Sequence, residues 1–537
     1  MRLKATIANA IWTASNLPAY RRFRQALREP QITQRQKLSD LLKQNVNTAF
    51  GKAHGFDRIG TYEEFTHRVP LSDYSALEPW IARIRQGDRN VLTRDPVTHL
   101  IPTSGSTGAR KLIPFTAGLQ REFNAALGPW LVDLARQSPG LIGGPAYWSI
   151  TPAIGGEAAE KSAVPVVFDA DTAYLGGGRR RLADAVMAVP SRVGRAKSLE
   201  VFRYQTLLHL LLCRELRLIS VWHPSFLTLL LDALPAHWEG LVSDIERGTG
   251  STPALPQRAC ELRAADSLQP ETLWPSLRVI SCWGDGAAAF ALDQLRRRFS
   301  NVLLQPKGLV ATEAFVTLPF DGQYPLAIGS HFYEFVDEKE RVCAVEALQD
   351  NEEYEVVVTT ACGLWRYRLG DRVRVQGWVE RTPSLKFLGR SDKVSDRFGE
   401  KLCEPFVAEA LHGVFEAEIP RFVLLAPDED ERGCRYTLYA EGNIQPHWAE
   451  ALDCALRRNP YYAYCRDLGQ LLPVRLFVIA ERGYEAFAQR QAANGARFGD
   501  IKPVALCRAS GWSEIFSGSY LRQRNAPPHT TTLNVSC

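Results

Sequence analysis

The spacing of hydrophobic residues changes along the chain between the helical and the strand repeat. Leucines recur at helical spacing within residues 1–50, and residues 116–137 and 200–235 show a similar amphipathic pattern, which predicts helices. The apolar run Leu277–Cys282 and the shorter Val302–Leu304 predict buried strands instead. Because strands and helices alternate here, this part of the chain is expected to form α/β units with a parallel sheet.

After residue 325 the pattern becomes that of short strands joined by turns, which predicts a more antiparallel, barrel-like region. Beyond Gly389 the pattern predicts a smaller α+β unit. The expected fold class is α/β, with a large N-terminal domain over residues 1–389 and a small C-terminal domain over residues 390–537. The strand-like segments of the barrel-like region are Phe332–Val336, Tyr354–Thr360, Asp371–Gln376 and Leu385–Leu388.

The composition excludes several classes of protein. With 45% hydrophobic and 23% charged residues among 537, the chain is globular rather than disordered. The net charge of +5 is compatible with an anionic ligand but is too small to indicate a nucleic-acid partner. No apolar run approaches the roughly 18 residues of a membrane span.

The 11 cysteines are irregularly spaced and contain no Cys-x-x-Cys pair or zinc-binding pattern. Free thiols in a reducing compartment fit this usage best. The N-terminal segment also lacks the clean apolar core of a signal peptide. We therefore expect a cytoplasmic protein, and we expect it to be a monomer.

The most informative segment is a hydroxyl- and glycine-rich run that starts at Thr103 and ends at Lys111. Its glycines allow consecutive backbone N–H groups to face one concavity that binds anions, and its hydroxyls and cation suit phosphate. The spacing is not that of a P-loop, and an isolated run of this kind is also compatible with a surface loop. A strand over Val97–Pro102 precedes the run and helix 116–137 follows, an order typical of phosphate sites at helix N-termini. The anion-binding candidates are Thr103, Ser104, Gly105, Ser106, Thr107 and Lys111.

Three further segments follow this loop. Thr312 and Glu313 offer a hydroxyl and a carboxylate just after a short strand. Asp371 is predicted to lie in a tight Gly-Asp turn between strands, where its carboxylate can accept hydrogen bonds from both hydroxyls of a ribose. Arg390 and Asp392 belong to a Gly-Arg-x-Asp segment at the predicted domain boundary. Taken singly, each segment has a structural explanation as a helix cap, a β-turn or a linker.

In this order, the four motifs resemble those of the adenylate-forming superfamily. Other segments resemble one branch of it, the auxin-responsive acyl acid amido synthetases of the Gretchen Hagen three family, over nearly the whole chain. The resemblance implies a large adenylate-forming domain followed by a smaller, mobile C-terminal domain. The segments that carry it are Lys43–Phe56, Val69–Tyr74, Val91–Val97, Phe332–Phe335, Tyr354–Thr360, Gly363–Arg368 and Asn459–Arg466.

The resemblance also implies roles for individual residues. The loop over Thr103–Thr107 would hold the phosphates of ATP. Thr312 and Glu313 would lie at the α-phosphate, with Glu313 as the Mg²⁺ ligand. Asp371 would bind the ribose, Arg390 would contact the nucleotide from the domain boundary, and Asp392 would be the hinge.

Three lysines are catalytic candidates. Lys111 lies beside the phosphate loop, whereas Lys401 and Lys502 match positions where related enzymes place a catalytic lysine. Lys502 is preferred because its surroundings are similar to those of the family's C-terminal lysine. The chain departs from the family pattern at Gln305–Leu309, which replaces the aromatic residue that commonly precedes Thr-Glu. Trp283 is the candidate to stack on the base in its place.

The pocket for the acyl acid is predicted from aromatic residues. Arg121, on the first helix after the loop, is available for a substrate carboxylate. Apolar walls are predicted from Phe123, Trp130, Trp148 and Trp283, although most aromatic residues in such a chain belong to the core.

The implied reaction uses ATP and Mg²⁺ to activate a small carboxylic acid as an acyl-adenylate with release of pyrophosphate. The acyl group then passes to an amine, expected to be an amino acid, with release of AMP. A thiol acceptor, either coenzyme A or a carrier protein, is the alternative. A non-catalytic binding module is disfavoured by the presence of Glu313, Asp371 and Lys502, and a hydrolase by the absence of a Gly-x-Ser-x-Gly elbow. Isolated histidines such as His223 and His331 are expected to be structural.

Overall fold

The fold was examined in a computed structural model of the chain. It describes residues 2–103, 111–149, 162–166, 177–196, 198–266, 269–285, 288–390, 394–415, 418–493 and 501–521. The chain divides into two compact units. The larger lies within residues 1–393, 403–405 and 488–503, and the smaller within residues 394–402, 406–487 and 504–537. The boundary predicted at residue 390 remains a prediction.

The N-terminal part of the chain is helical, as the leucine spacing predicts. The second helix begins with Pro30, which suits the first helical position because it needs no backbone N–H partner. Its leucines Leu38, Leu41 and Leu42 are buried. None of the helices in the described ranges has both the length and the apolar character needed to cross a membrane. The helices of this part are α1 (Arg2–Arg28), α2 (Pro30–Asn45), α3 (Ala49–Ala53), α4 (Tyr62–Arg68) and α5 (Tyr74–Arg85).

A hairpin holds the two ends of the hydroxyl- and glycine-rich loop. Strand β1 (His99–Thr103) pairs antiparallel with β2 (Lys111–Phe115), and helix α6 (Ala117–Gln137) begins only after β2. The helix predicted over residues 116–137 is confirmed, but the strand β2 between the loop and this helix was not predicted. The first turn of α6 is capped by Thr116 instead, whose hydroxyl accepts a hydrogen bond from the Leu119 N–H at 3.1 Å.

The predicted parallel sheet is confirmed. Its four strands lie in chain order and each neighbouring pair is parallel, so their carboxyl ends meet at one edge. We call this the carboxyl edge. The strands are β3 (Ala146–Trp148), β4 (Leu218–Ser220), β5 (Val279–Cys282) and β6 (Leu303–Pro306). The helices of this region are α7 (Gly177–Val186), α8 (Leu199–Leu212), α9 (Pro224–Asp232), α10 (Leu234–Arg247), α11 (Pro256–Arg263), α12 (Pro270–Leu273) and α13 (Ala288–Arg298).

The antiparallel character predicted after residue 325 is also confirmed. Five strands form one sheet in the order β11, β10, β9, β7, β8, and every neighbouring pair is antiparallel. The inner strands β7 and β9 are rich in valine, phenylalanine and tyrosine, which are residue types enriched in β-strands. The strands are β7 (Phe332–Val336), β8 (Val342–Ala344), β9 (Glu353–Thr359), β10 (Tyr367–Val379) and β11 (Thr382–Arg390).

The C-terminal part of the chain has the predicted α+β composition. Its sheet has the order β14, β15, β16, β17, with one parallel pair between β15 and β16. Its strands are β12 (Val394–Ser395), β13 (Leu402–Cys403), β14 (Phe422–Asp430), β15 (Gly433–Glu441), β16 (Leu472–Ile479) and β17 (Gly518–Tyr520). Its helices are α14 (Glu404–Phe415), α15 (Trp448–Leu456), α16 (Pro460–Asp467) and α17 (Gly483–Ala493).

A buried ion pair anchors the start of β10 to the N-terminal helices. The Arg366 guanidinium donates hydrogen bonds to both oxygens of the Glu334 carboxylate, at 2.9 and 2.8 Å, and to the Val69 carbonyl at 2.7 Å. Tyr62 donates its hydroxyl proton to the same carboxylate at 2.9 Å. These contacts fix the chain immediately before Tyr367, where the candidate site begins.

A second buried ionic network joins α2, α6 and the antiparallel sheet. Glu122 is 3% exposed and lies 2.8 Å from the Lys37 ammonium. The ring Nε2 of His331 accepts a hydrogen bond from the Phe315 N–H, so Nδ1 carries the proton that it donates to Glu122 at 3.0 Å. This histidine is structural, as expected from the sequence. Burial acts to raise the pKa of Glu122, but Lys37 and His331 outweigh it and hold that pKa below 4.5.

Glu122→Gln is expected to lower the free energy of unfolding by about 3–5 kcal/mol at pH 7, because it removes the buried carboxylate that pairs with the partly exposed Lys37 and with His331. Since the pKa of Glu122 is lowered by folding, its contribution is complete above about pH 4.5 and disappears as the pH falls through the folded-state value. Denaturant unfolding of both proteins between pH 7 and pH 3 measures this difference. Glu63→Gln, at an exposed position, is the control. Equal stability of the parent and Glu122→Gln at pH 7 would contradict the account.

Candidate active site

Thr312 and Glu313 lie at the tip of a small hairpin that follows β6. The hairpin is closed by a bridge between Val310 and Phe315 and by a hydrogen bond from the Ala311 N–H to the Ala314 carbonyl at 2.9 Å. Glu313 is 8% exposed, so the tight bend holds its carboxylate inside the larger unit rather than in solvent.

Asp371 lies within β10 and not in a turn, so the predicted Gly-Asp turn between strands is wrong. The pairing of β10 with β9 shifts register between Arg368 and Arg372, which makes this part of the strand a bulge. Gly370 supplies the positive φ, +77°, that the irregularity requires. A bulge re-aims side chains within a sheet. Here strand β10 continues through Asp371, although its pairing with β9 is irregular at this point.

Arg390 lies beside Asp371 at the end of the neighbouring strand. The two residues face each other in the register of β10 and β11, and Nη1 of Arg390 is 3.8 Å from Oδ1 of Asp371. Nη2 of Arg390 also donates to the Leu369 carbonyl at 3.1 Å. Asp371 is 4% exposed, which makes this a largely buried carboxylate with a cationic neighbour.

The pKa of Tyr367 is influenced by both Glu313 and Arg390. Burial raises the pKa of Tyr367 well above its usual range, the negative charge of Glu313 raises it further, and the positive charge of Arg390 opposes both. We call Glu313, Tyr367, Asp371 and Arg390 the acid–arginine cluster. The structure therefore places Asp371 beside Arg390, with Glu313 within electrostatic range of Tyr367, the first residue of the same strand as Asp371.

The ends of the candidate phosphate loop face each other. Thr103 is opposite Lys111 in the register of the β1–β2 hairpin, and the next residue, Leu112, donates its N–H to the Tyr74 hydroxyl at 2.9 Å. The predicted phosphate-binding residues between them lie outside the described residues. They are Ser104, Gly105, Ser106 and Thr107.

Trp283 follows β5 at the carboxyl edge. The backbone N–H of Trp283 donates to the backbone carbonyl of Trp222 at 2.7 Å, and the centroids of the two indole rings are 5.4 Å apart. Nζ of Lys502 lies 3.8 Å from the Trp283 ring centroid, within the distance of a cation–π interaction. Residues 488–503 group with the larger unit, so this contact belongs to that unit.

A second lysine lies close to the Trp222 ring. Nζ of Lys307, just after β6, lies 5.7 Å from the Trp222 ring and 5.2 Å from the Trp130 ring. Trp130 in turn meets Trp148, at the end of β3, edge to face at 6.1 Å. We call Trp130, Trp148, Trp222 and Trp283 the tryptophan cluster.

His223 was expected to be structural. One of its ring nitrogens has a structural contact, but the environment of the other also suits it to bind a ligand. It caps α9, and its Nδ1 accepts the Ser225 N–H at 3.1 Å, which leaves the proton on Nε2. Nε2 is buried and has no hydrogen-bond partner among the residues that the structure describes. Burial lowers the pKa of His223 to about 3, and the positive charge of Lys502 acts in the same direction. A neutral ring with a buried, unused N–H donor therefore lies within the electrostatic reach of Lys502.

The family models identify the chain. The model described as the GH3 family N-terminal domain matches residues 19–304, the central-domain model matches residues 324–390, and the C-terminal-domain model matches residues 405–510. The chain belongs to the GH3 family.

Curated relatives of this GH3 chain are named as amido synthetases. A probable indole-3-acetic acid-amido synthetase, GH3.12 of Oryza sativa subsp. japonica, is 25% identical over 89% of this chain and 92% of its own. Indole-3-acetic acid-amido synthetase GH3.4 of Arabidopsis thaliana is 24% identical over 83% of this chain and 80% of its own. Among solved structures, AtGH3.15 acyl acid amido synthetase in complex with 2,4-DB superposes with a TM-score of 0.82 at 19% identity. That superposition covers 95% of this chain and 98% of that chain, which confirms the fold.

The acid–arginine cluster of this GH3 chain fits a nucleotide and a hard metal ion. A buried carboxylate such as Asp371 suits the paired hydroxyls of a ribose, and an arginine suits phosphate oxygens. Within the described ranges no three or more metal-ligating side chains are grouped to hold an ion. Mg²⁺ bound with a nucleotide needs only one or two carboxylates beside phosphate oxygens and water, and Glu313 suffices for that.

Three other predicted residues have different surroundings. Arg121 is mostly exposed and pairs with Asp95 at 3.1 Å. Phe123 is buried against Phe315 and His331, which is a core environment. Lys401 belongs to the smaller unit, where its Nζ lies 5.5 Å from the ring of Tyr461. The predicted hinge residue, Asp392, lies outside the described residues.

Proposed function

We propose that this chain is an ATP-dependent acyl acid amido synthetase. It activates a carboxylic acid as an acyl-adenylate and transfers the acyl group to the amine of an amino acid. The observation that carries the proposal is the pairing of Asp371 with Arg390 in the larger unit, which also holds Glu313 within electrostatic range of Tyr367 and Lys502 at the carboxyl edge. Membership of a family whose curated relatives are named amido synthetases supports the same reaction.

The chemistry explains why these residue types are needed. A carboxylate is a poor acyl donor because its oxygen is a poor leaving group. Attack of the carboxylate oxygen on the α-phosphorus of ATP expels pyrophosphate, and AMP is then a good leaving group when an amine attacks the acyl carbon. The first step develops negative charge around the α-phosphorus, so positioning and cationic stabilisation dominate its catalysis.

Each side chain has a role in this scheme. Asp371 accepts hydrogen bonds from the ribose hydroxyls, and Arg390 contacts the nucleotide while it holds Asp371 in place. Glu313 would hold Mg²⁺, which would neutralise phosphate charge when bound. Lys502 stabilises the charge that develops in adenylation, next to Trp283.

His223 is suited to orient the acid. Its neutral ring donates from Nε2 without adding a further positive charge near Lys502. An oxygen of the substrate carboxylate is the acceptor that this buried N–H lacks. Burying an unpaired donor costs about 1–3 kcal/mol, which binding of the acid would recover.

Asp371→Ala is expected to weaken ATP binding at least about 10-fold while leaving the fold intact, since each charge-assisted hydrogen bond that it removes contributes about 1.5–3 kcal/mol. Calorimetric titration with ATP measures the affinity. Asp57→Ala, at an exposed aspartate, is the control. Unchanged affinity in a folded Asp371→Ala protein would remove this residue from the site.

The acid is identified by isotope exchange. A panel of carboxylic acids is tested for acid-dependent exchange of pyrophosphate into ATP, and the acids that support exchange are then combined with a panel of amino acids. Formation of amide and AMP that depends on both substrates supports the proposal. AMP formation that depends on coenzyme A, and on no amine, would favour the thiol acceptor instead. Rotation of the C-terminal part about a hinge near Asp392 between the two steps remains a prediction of the resemblance.

A further inference from the structure

Helix α1 has an apolar face that points away from the core of the larger unit. Its inward side chains, such as Ala8 and Trp12, are buried in that core. On the opposite face, Leu3, Ile7 and Ile11 are 74%, 52% and 52% exposed. These three residues are four positions apart, so they form one row along the helix. A surface helix normally carries charged or polar residues on this side, so α1 departs from the usual amphipathic pattern.

The exposed row is long enough to act as a contact surface. Ala10 and Ala14 are exposed between the larger side chains, and Leu17 continues the row at 40% exposure. From Leu3 to Leu17 the row extends roughly 21 Å at the rise of an α-helix. Single exposed apolar residues are normal, but a contiguous row marks a surface that contacts something apolar. We call this row the apolar stripe, and its members are Leu3, Ile7, Ala10, Ile11, Ala14 and Leu17.

The charges of α1 all have one sign. Lys4 is exposed near one end of the apolar stripe, and Arg21 and Arg22 are exposed just beyond the other end. Arg28, at the end of the helix, pairs with Glu380 at 3.2 Å. The sequence of α1 contains no aspartate or glutamate, and its basic residues are Arg2, Lys4, Arg21, Arg22, Arg24 and Arg28.

An apolar stripe with positive charge at both ends matches the surface of a bilayer that contains anionic lipids. The apolar side chains can reach the boundary between headgroups and acyl chains, where the cations meet lipid phosphates. The opposite face of α1 is held in the core, so the helix can lie on the bilayer surface but cannot cross it. A second copy of this chain fits less well, because a contact through this face would bring the same positive ends together.

We propose that α1 docks this protein on the surface of membranes that contain anionic lipids. The apolar stripe enters the interfacial layer, and Lys4, Arg21 and Arg22 bind the lipid phosphates. The docking is reversible, since one stripe and a few charges give only a modest partition into the bilayer. It goes beyond the proposed function and does not depend on it, because it uses no residue of the acid–arginine or tryptophan clusters.

Vesicle flotation with the full chain measures the docking. The parental protein is expected to bind vesicles of phosphatidylcholine and phosphatidylglycerol more tightly than vesicles of phosphatidylcholine alone, and less tightly as the salt concentration rises. A triple variant with Leu3→Gln, Ile7→Gln and Ile11→Gln is expected to lower the partition coefficient at least about 10-fold. Arg21→Gln combined with Arg22→Gln is expected to lower it about 10- to 30-fold for the phosphatidylglycerol vesicles.

The matched control combines Ile32→Gln with Arg35→Gln, which changes an exposed isoleucine and an exposed arginine of α2. It is expected to keep the parental binding. Glutamine favours helices nearly as well as leucine, and thermal unfolding checks that each variant is folded. The double arginine variant leaves the apolar stripe intact, so it tests the inference even if the triple variant fails to fold.

Three results would overturn the inference. They are no binding of the parental protein to either kind of vesicle, equal binding to both kinds, and binding that neither variant changes. A parental dimer, seen by light scattering, that the triple variant converts to a monomer without any vesicle binding would assign the stripe to a second copy and would also overturn it. Pyrophosphate exchange without vesicles is expected to stay at the parental rate in these variants.

Discussion

Replacing Lys502 with alanine is expected to slow acyl-adenylate formation by about 10²- to 10³-fold, the effect of removing one electrostatic stabiliser of a developing charge. Nζ of Lys502 lies against Trp283 at the carboxyl edge, within the larger unit and within the electrostatic reach of His223. Amide formation from a chemically supplied acyl-adenylate is expected to change little, because that step no longer involves transfer at phosphorus. Stopped-flow measurement of the two half-reactions separates these effects.

Lys401→Ala is the informative comparison for this variant. Lys401 is the other C-terminal candidate, and it packs against Tyr461 in the smaller unit. We expect adenylation to be much less sensitive to it. Equal loss of both half-reactions in Lys502→Ala would mean that Lys502 has a structural role. A large adenylation defect in Lys401→Ala with none in Lys502→Ala would transfer the assignment.

The second large effect is expected for Glu313→Gln, which should abolish most adenylation while retaining part of the nucleotide affinity. Glutamine keeps the shape of the side chain in the tight hairpin but removes the negative charge that Mg²⁺ requires. Asp371 and Arg390 remain to contact the nucleotide. Pyrophosphate exchange, titrated with Mg²⁺, measures the loss and any shift in metal requirement.

Glu63→Gln, at an exposed glutamate of α4, controls for the change of charge. Because Glu313 is buried, thermal unfolding of the variant shows whether the substitution disturbs the hairpin. Exchange at the parental rate and with the parental Mg²⁺ dependence would exclude Glu313 as the metal ligand.

The sequence was sufficient where one local pattern determines the structure. The apolar run Leu277–Cys282 predicted β5 to within two residues, since a buried parallel strand is apolar on both faces. The four segments predicted for the antiparallel sheet also correspond to β7, β9, β10 and β11. Strand β4 was missed because its three residues continue an apolar, leucine-rich helix pattern.

Features that depend on pairing between distant segments could not be predicted. The bulge at Gly370 appears only when β10 is aligned with β9, and without that alignment Gly-Asp indicates a turn. Helix α6 was expected directly after the glycine-rich loop, because a five-residue strand such as β2 gives little signal beside a long helix. The unused Nε2 donor of His223 becomes visible only when the carboxyl edge is assembled.

The most direct test of the central claim is a mass-spectrometric assay with ATP, Mg²⁺, a panel of carboxylic acids and a panel of amino acids. The account predicts an N-acyl amino acid whose appearance depends on all three substrates, with one AMP and one pyrophosphate released for each amide formed. Product that forms only when coenzyme A replaces the amino acid, or amide that forms without release of AMP, would contradict it.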